Sequence, residues 1–257
     1  KAFAIVLDGD LSDWGVTPFT QWVPSVAGTS YSVENNYNRQ WSDAFNEKWD
    51  IEAMYINDCS QYLNFAIVSS NPYTSGWAHE SLFLDFSGRT MDQLLVNGDY
   101  KYAADLANLP LGLSTKGVYK VNQSKAYKLV NYKNSGKTFP GSIAMTPAML
   151  AQQELLGDYE VFNKYLGVIE PGAYKNTYVL EGRIDKSLFE EDLLCGSTLE
   201  AYFARITCLK DWITVRDTLG GNCNNIIPEP TALLLFGPGA FLVSFFRRKR
   251  ILQVIKS

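Results

Sequence analysis

Three aspartates, Asp8, Asp10 and Asp13, crowd into six residues near the N-terminus, and Asp50 and Glu52 stand two positions apart in a stretch patterned as a strand. Carboxylate oxygens are what calcium takes, about six to eight at a time. One reading is therefore a calcium site shared between turn and strand, with Asp8, Asp10, Asp50 and Glu52 as ligands, where the ion would rigidify a sheet edge rather than catalyse. The other is that Asp8-Gly9 makes a tight turn and the carboxylates are solvated, since the spacing is not that of an EF-hand loop and lacks its closing bidentate Glu. Tryptophans offer a second chemistry, because flat rings stack on the apolar faces of pyranose sugars. Trp22, Trp41 and Trp77 lie in polar, loop-like sequence and are the candidates for ligand binding, whereas Trp49 and Trp212 sit in strand phrases. The competing reading of each ring is a cap on the core.

Catalytic machinery finds little support. His79 is the only histidine, so a three-histidine zinc site or an HExxH helix cannot be built, and a Ser-His-Asp triad would need His79 itself. That residue, in Gly76-Trp77-Ala78-His79-Glu80, reads as a surface loop residue. The i, i+2 spacing of Asp50 and Glu52 sets up no opposed acid and base, and no nucleophile elbow or phosphate loop occurs. Binding or structural work is expected rather than catalysis. The four cysteines, Cys59, Cys195, Cys208 and Cys223, show no CxxC spacing. In an exported protein they allow two disulfides in any of about three pairings. Buried free thiols are the alternative.

The elements that must position these residues read mainly as strands. In Trp49-Asp50-Ile51-Glu52-Ala53-Met54-Tyr55-Ile56, alternation puts Trp49, Ile51, Ala53 and Tyr55 on one face and Asp50 and Glu52 on the other. Residues 57–60 form a turn and 61–69 return as the second strand of a hairpin. Further strands are expected at 81–86, 100–106, 117–121, 177–184, 199–208 and 212–216. Thr146-Pro147 before AMLAQQELL supplies an N-cap and a proline at the first helical position, which predicts a helix over 147–156 and a further helical turn or two at 158–166. The fold class expected is mainly β: an antiparallel two-sheet β-sandwich with a short helical insertion, plus one C-terminal transmembrane helix.

Of the 257 residues, 46% are hydrophobic and 19% charged, enough to bury a core. The formal net charge of -4 conceals an asymmetry, because Arg247, Arg248, Lys249, Arg250 and Lys256 fall in a stretch without acids, and the chain before Arg247 carries 18 basic against 27 acidic residues. An acidic body argues against nucleic acid as a partner. From Thr231 to Phe246 there are sixteen residues without a charge, and the basic cluster follows at once. Such a run spans about 24 Å as a helix, somewhat under the roughly 30 Å hydrocarbon core, and snorkelling arginines make up the difference. The positive-inside rule keeps the cluster cytoplasmic and the body outside. Gly237-Pro238-Gly239 predicts a kink in the span. The chain opens on Lys1 rather than Met, as a processed, exported product would, or an expression boundary. The division expected is a single β-sandwich domain over 1–217, a linker over 218–230, and a span with basic tail over 231–257.

Pro228-Glu229-Pro230, the apolar run with its central glycines, and Arg247-Arg248-Lys249-Arg250 together resemble the tripartite PEP-CTERM sorting signal of Gram-negative bacteria. The resemblance implies recognition by an exosortase that cuts near the Pro-Glu-Pro motif, and association with the cell surface and exopolysaccharide matrix. The seven residues after the basic cluster depart from the pattern and leave cleavage open. The body resembles family 9 carbohydrate-binding-module and DOMON-like sandwiches. Asp8-Gly9-Asp10-Leu11-Ser12-Asp13-Trp14 matches their opening phrase, and Trp49 to Ile56 and Phe65 to Val68 match their early strands. Tyr178-Val179-Leu180-Glu181-Gly182-Arg183-Ile184 matches a later acidic phrase, and the strands around ARITCLKDWITV match the closing pair. These resemblances imply an exported binding protein, anchored in the inner membrane facing the periplasm or moved to the cell surface, with carbohydrate or exopolysaccharide as ligand. The alternative is a membrane-anchored structural or accessory subunit that packs against protein partners and keeps its tail.

Overall fold

The computed structural model describes residues 5–33, 51–59, 61–70, 80–97, 100–106, 116–122, 127–130, 138–142, 147–168, 176–189, 192–193, 196–204 and 212–220. The chain divides into two units, Lys1–Gly221 and Asn222–Ser257, and every described residue belongs to the first. In chain order the strands are β1 (Thr29–Val33), β2 (Ile51–Asp58), β3 (Tyr62–Ser69), β4 (Ser81–Asp85), β5 (Tyr102–Asp105), β6 (Gly117–Lys120), β7 (Tyr127–Val130), β8 (Thr138–Ser142), β9 (Glu154–Gly157), β10 (Glu160–Val168), β11 (Asn176–Asp185), β12 (Thr198–Ala204) and β13 (Trp212–Thr218). The helices are α1 (Met91–Asn97) and α2 (Pro147–Leu150).

Two antiparallel sheets form the body, one of five strands in the order β1-β2-β3-β11-β10 and one of six in the order β13-β12-β4-β5-β6-β9. A separate hairpin, β7-β8, brings β8 against α1, β4 and β12. Between the sheets lies the main core. Met54, Ile56, Phe65, Ile67 and Leu180 meet Leu82, Leu84, Ala104, Val118, Phe203 and Val215, with Phe189 set 5.0 Å from both Phe86 and Tyr102. Gly182 is demanded by this packing, because a Cβ there would come within 2.2 Å of the Phe65 ring that faces it in register. At one side the two sheets approach through β1 and β13, where Ser30 Oγ donates to Asp217 Oδ1 at 2.8 Å.

Both sheets also bury their outer faces, so β2, β3 and β4 are buried almost throughout rather than on alternate residues. Over the five-stranded sheet, Leu11, Trp14, Val16 and Trp22 cover Ala53, Tyr55, Ala66, Val68 and Val179. Over the six-stranded sheet, Phe83, Tyr100, Tyr119 and Tyr202 form an aromatic layer closed by Leu94 of α1.

The structure corrects three local expectations. In β2 the register slips between Ile51 and Ala53, so Glu52 is the extra residue of a bulge. Ile51 therefore joins the inter-sheet core with Met54 and Ile56, while Ala53 and Tyr55 face the other way. The helix expected over 147–156 stops at Leu150, and Glu154–Gly157 is strand β9, paired with β6. Residues 158–166 hold no helical turn either: Glu160–Val168 is an edge strand on β11. Four of the labelled elements carry no expectation from the sequence: β1, β7, β8 and α1. Thr90-x-x-Gln93 is a capping box whose Gln93 Oε1 accepts the Thr90 backbone N–H at 2.8 Å, a signal able to find α1. Among the described residues no helix is long and apolar enough to cross a membrane, and residues 231–257 lie outside them.

Candidate functional site

The opening phrase folds into a strap that ends on a buried carboxylate. Asp8 Oδ1 accepts the backbone N–H of Asp10 at 2.8 Å, closing the turn in which Gly9 takes φ +72°. A side chain at Gly9 is excluded twice, by that left-handed backbone and by Lys164, whose Cβ would lie 2.4 Å from an added Cβ. Asp10 then caps a 3-10 turn, Leu11–Trp14, its Oδ1 accepting from Ser12 N at 2.9 Å. That bond holds Asp10 below the ordinary carboxylate range. Asp13 Oδ2 accepts from Val6 N at 2.9 Å. The turn points Leu11 and Trp14 into the sheet, where both are fully buried, and Gly15 at φ +69° ends it.

Glu181 stands at the centre of β11 with no exposed surface. Its Oε1 accepts from Trp14 Nε1 at 2.7 Å, and its Oε2 accepts from the backbone N–H of Gly9 at 2.6 Å and of Asp8 at 3.1 Å. Burial pushes the Glu181 carboxyl up, and the bonds from Trp14, Gly9 and Asp8 counteract that shift, while the Asp8 charge adds to it. A carboxylate with three convergent N–H donors is an internal anchor for a chain segment, with both of its oxygens already engaged.

The carboxylates expected to hold calcium make local contacts where they fall among the described residues. Asp8, Asp10 and Asp13 each spend an oxygen on a local amide, and Glu52 is buried on the β2 bulge. Among the described residues no group of three or more His, Cys, Asp or Glu could hold a metal ion. Asp50 lies outside the described residues. Trp22 is 3% exposed rather than open to a ligand: its carbonyl accepts from Tyr55 Oη at 2.7 Å, and Phe19 packs edge-on at 5.8 Å. A polar neighbourhood in sequence disguised a ring that covers the sheet. Trp41 and Trp77 lie outside the described residues, as do His79, Cys195, Cys208, Cys223, Pro228, Glu229, Pro230, Arg247, Arg248, Lys249 and Arg250. Cys59 is a free thiol at the β2-β3 turn, its Sγ accepting from Tyr62 N at 3.3 Å and donating to Tyr62 O at 3.1 Å.

A second charged cluster escaped the sequence reading altogether. Asp85 and Glu200 stand opposite each other on β4 and β12, 1% and 4% exposed. Asp85 pairs with Arg89 at 3.0 Å and Glu200 with Arg216 at 3.2 Å. Burial raises Glu200, Arg216 lowers it, and Asp85 raises it again. Arg216 also donates to the carbonyls of Gly88 at 2.9 Å and Arg89 at 3.2 Å, so it ties the segment entering α1 to the sheet. Only strand pairing brings these residues together, across more than a hundred positions of sequence, and no local spacing announces it.

The strap, its carboxylate anchor and the two-sheet core are thus the features available for likeness to known proteins, and neither a family model nor a curated protein matches this sequence.

Proposed function

We propose that this chain is an exported β-sandwich protein of the cell surface or extracellular matrix, sorted through its C-terminal segment, whose body binds or sits among polysaccharide. One observation carries the reading of the body. The two phrases that resemble carbohydrate-binding-module and DOMON-like sandwiches, Asp8 to Trp14 and Tyr178 to Ile184, are joined in space by three hydrogen bonds at Glu181. A shared turn motif alone would give no reason for that meeting. Sorting rests on the order Pro228-Glu229-Pro230, apolar run, Arg247 to Arg250. With Trp22 committed to the core, the rings to test for sugar stacking are Trp41 and Trp77.

The intact mass of the protein isolated from its native cells tests sorting. A body ending near Pro228 supports exosortase cleavage, and a full-length chain in the membrane fraction contradicts it. Glycan-array binding that Trp41→Ala or Trp77→Ala abolishes supports the polysaccharide reading, and a blank array contradicts it.

A further inference from the structure

We infer that β10 is a self-association edge, at which a second copy of this chain adds its own β10 antiparallel about a twofold axis through Phe162. Among the described residues β10 is hydrogen-bonded on one side only, to β11. It is long for an edge, nine residues without proline, and its one irregularity, between Tyr165 and Gly167, lies beyond the Glu160–Lys164 stretch. Exposed apolar side chains gather here: Val161 is 36%, Phe162 42% and Tyr165 51% exposed.

The sequence of the strand is complementary to itself. Antiparallel pairing centred on Phe162 sets Phe162 against its copy, Val161 against Asn163, and Glu160 against Lys164, so each interface holds two opposite-charge pairs. In the register with β11, Glu160 and Lys164 lie opposite Arg183 and Val179, two even steps from Phe162, so both point to the same face of the sheet. Glu160 pairs with Arg183 at 2.6 Å with 59% of its own side chain exposed, which leaves the carboxylate open to a further cation. The occupant that fits this row of charges is the same strand in reverse.

Charge reversal in the full chain, in non-ionic detergent, tests the register by sedimentation velocity. Lys164→Glu and Glu160→Lys should each weaken the dimer by at least about tenfold. Mixing the two variants should restore it, because both cross-strand pairs are then of opposite charge. Tail-driven association, or another segment covering the edge, would leave Lys164→Glu as associated as the wild type, and either result overturns the proposal. Phe162→Cys supplies a check independent of charge: directly opposed residues lie about 4.5–5.5 Å apart at Cα, within disulfide reach. Oxidation should then link Phe162→Cys into dimers and leave Tyr165→Cys at the wild-type level. Equal cross-linking of the two variants contradicts the axis.

Discussion

Outside the five-stranded sheet a strand-free strap lies over Ala53, Tyr55, Ala66, Val68 and Val179, whereas outside the six-stranded sheet Phe83, Tyr100, Tyr119 and Tyr202 pack on one another beneath α1. The strap is tied at a point, Glu181, where one buried carboxylate gathers three N–H donors. The aromatic layer is spread over rings 5.5–6.2 Å apart, Tyr100 to Tyr202, Phe83 to Tyr100 and Phe83 to Tyr202, with the Arg89-Asp85 and Arg216-Glu200 pairs on the same sheet. A point tie is directional and fails all at once, while a layer of rings shares its loss among neighbours. The two outer faces should therefore break in different ways.

The largest effect is expected in the layer. Phe83→Ala removes a fully buried ring and should cost about 3–5 kcal/mol in urea unfolding, with Phe83→Leu costing less than half of that as neighbours close in. Glu181→Ala should cost about 3 kcal/mol, because it strands the Trp14 indole N–H and the Gly9 amide without an acceptor. Its signature is local: amide exchange should accelerate at Gly9 and Val16 of the strap while Ile67 and Phe203 of the inter-sheet core stay protected. Asp10→Ala, which deletes only the cap of the 3-10 turn, should cost about 1 kcal/mol and speed exchange at Ser12.

The smallest effect is in pH. Burial raises Glu181 above the ordinary 4.5, so the folded chain keeps this proton in a window where the unfolded chain has released it. That contribution to stability is complete below 4.5 and is lost as the pH rises through the folded pKa. Glu181→Gln lacks it, so the stability gap between wild type and variant should narrow as the pH climbs from below 4.5 to neutrality. A gap that widens over the same range contradicts burial as the dominant influence on Glu181.

Much of the sandwich was legible because core strands alternate or run apolar: β3, β4, β6 and β13 fall within two or three residues of their expected places. β9 and β10 were not, since AMLAQQELL is rich in helix-forming residues and the apolar positions of β10 face solvent, where periodicity carries no burial signal. The bulge at Glu52 inverted the facing of Ile51, because one extra residue in a strand leaves no mark in composition. At the site, spacing leaves the aspartates near the N-terminus open to two readings, calcium donors or a tight turn, and the amides that Asp8 and Asp10 accept belong to that turn. Their counterpart, Glu181, lies 167 residues beyond Trp14. Its phrase was noticed only through resemblance, and its burial against the strap follows from the pairing of β11 between β3 and β10.

The claim that Glu181 is the tie of the strap is tested most directly by a double-mutant cycle between Trp14→Phe, which keeps the ring and deletes Nε1, and Glu181→Gln. Coupling of about 1–3 kcal/mol in urea unfolding is predicted for a buried hydrogen bond to a carboxylate. Additivity to within about 0.3 kcal/mol would contradict the account, since the indole and the carboxylate would then stabilise the strap independently.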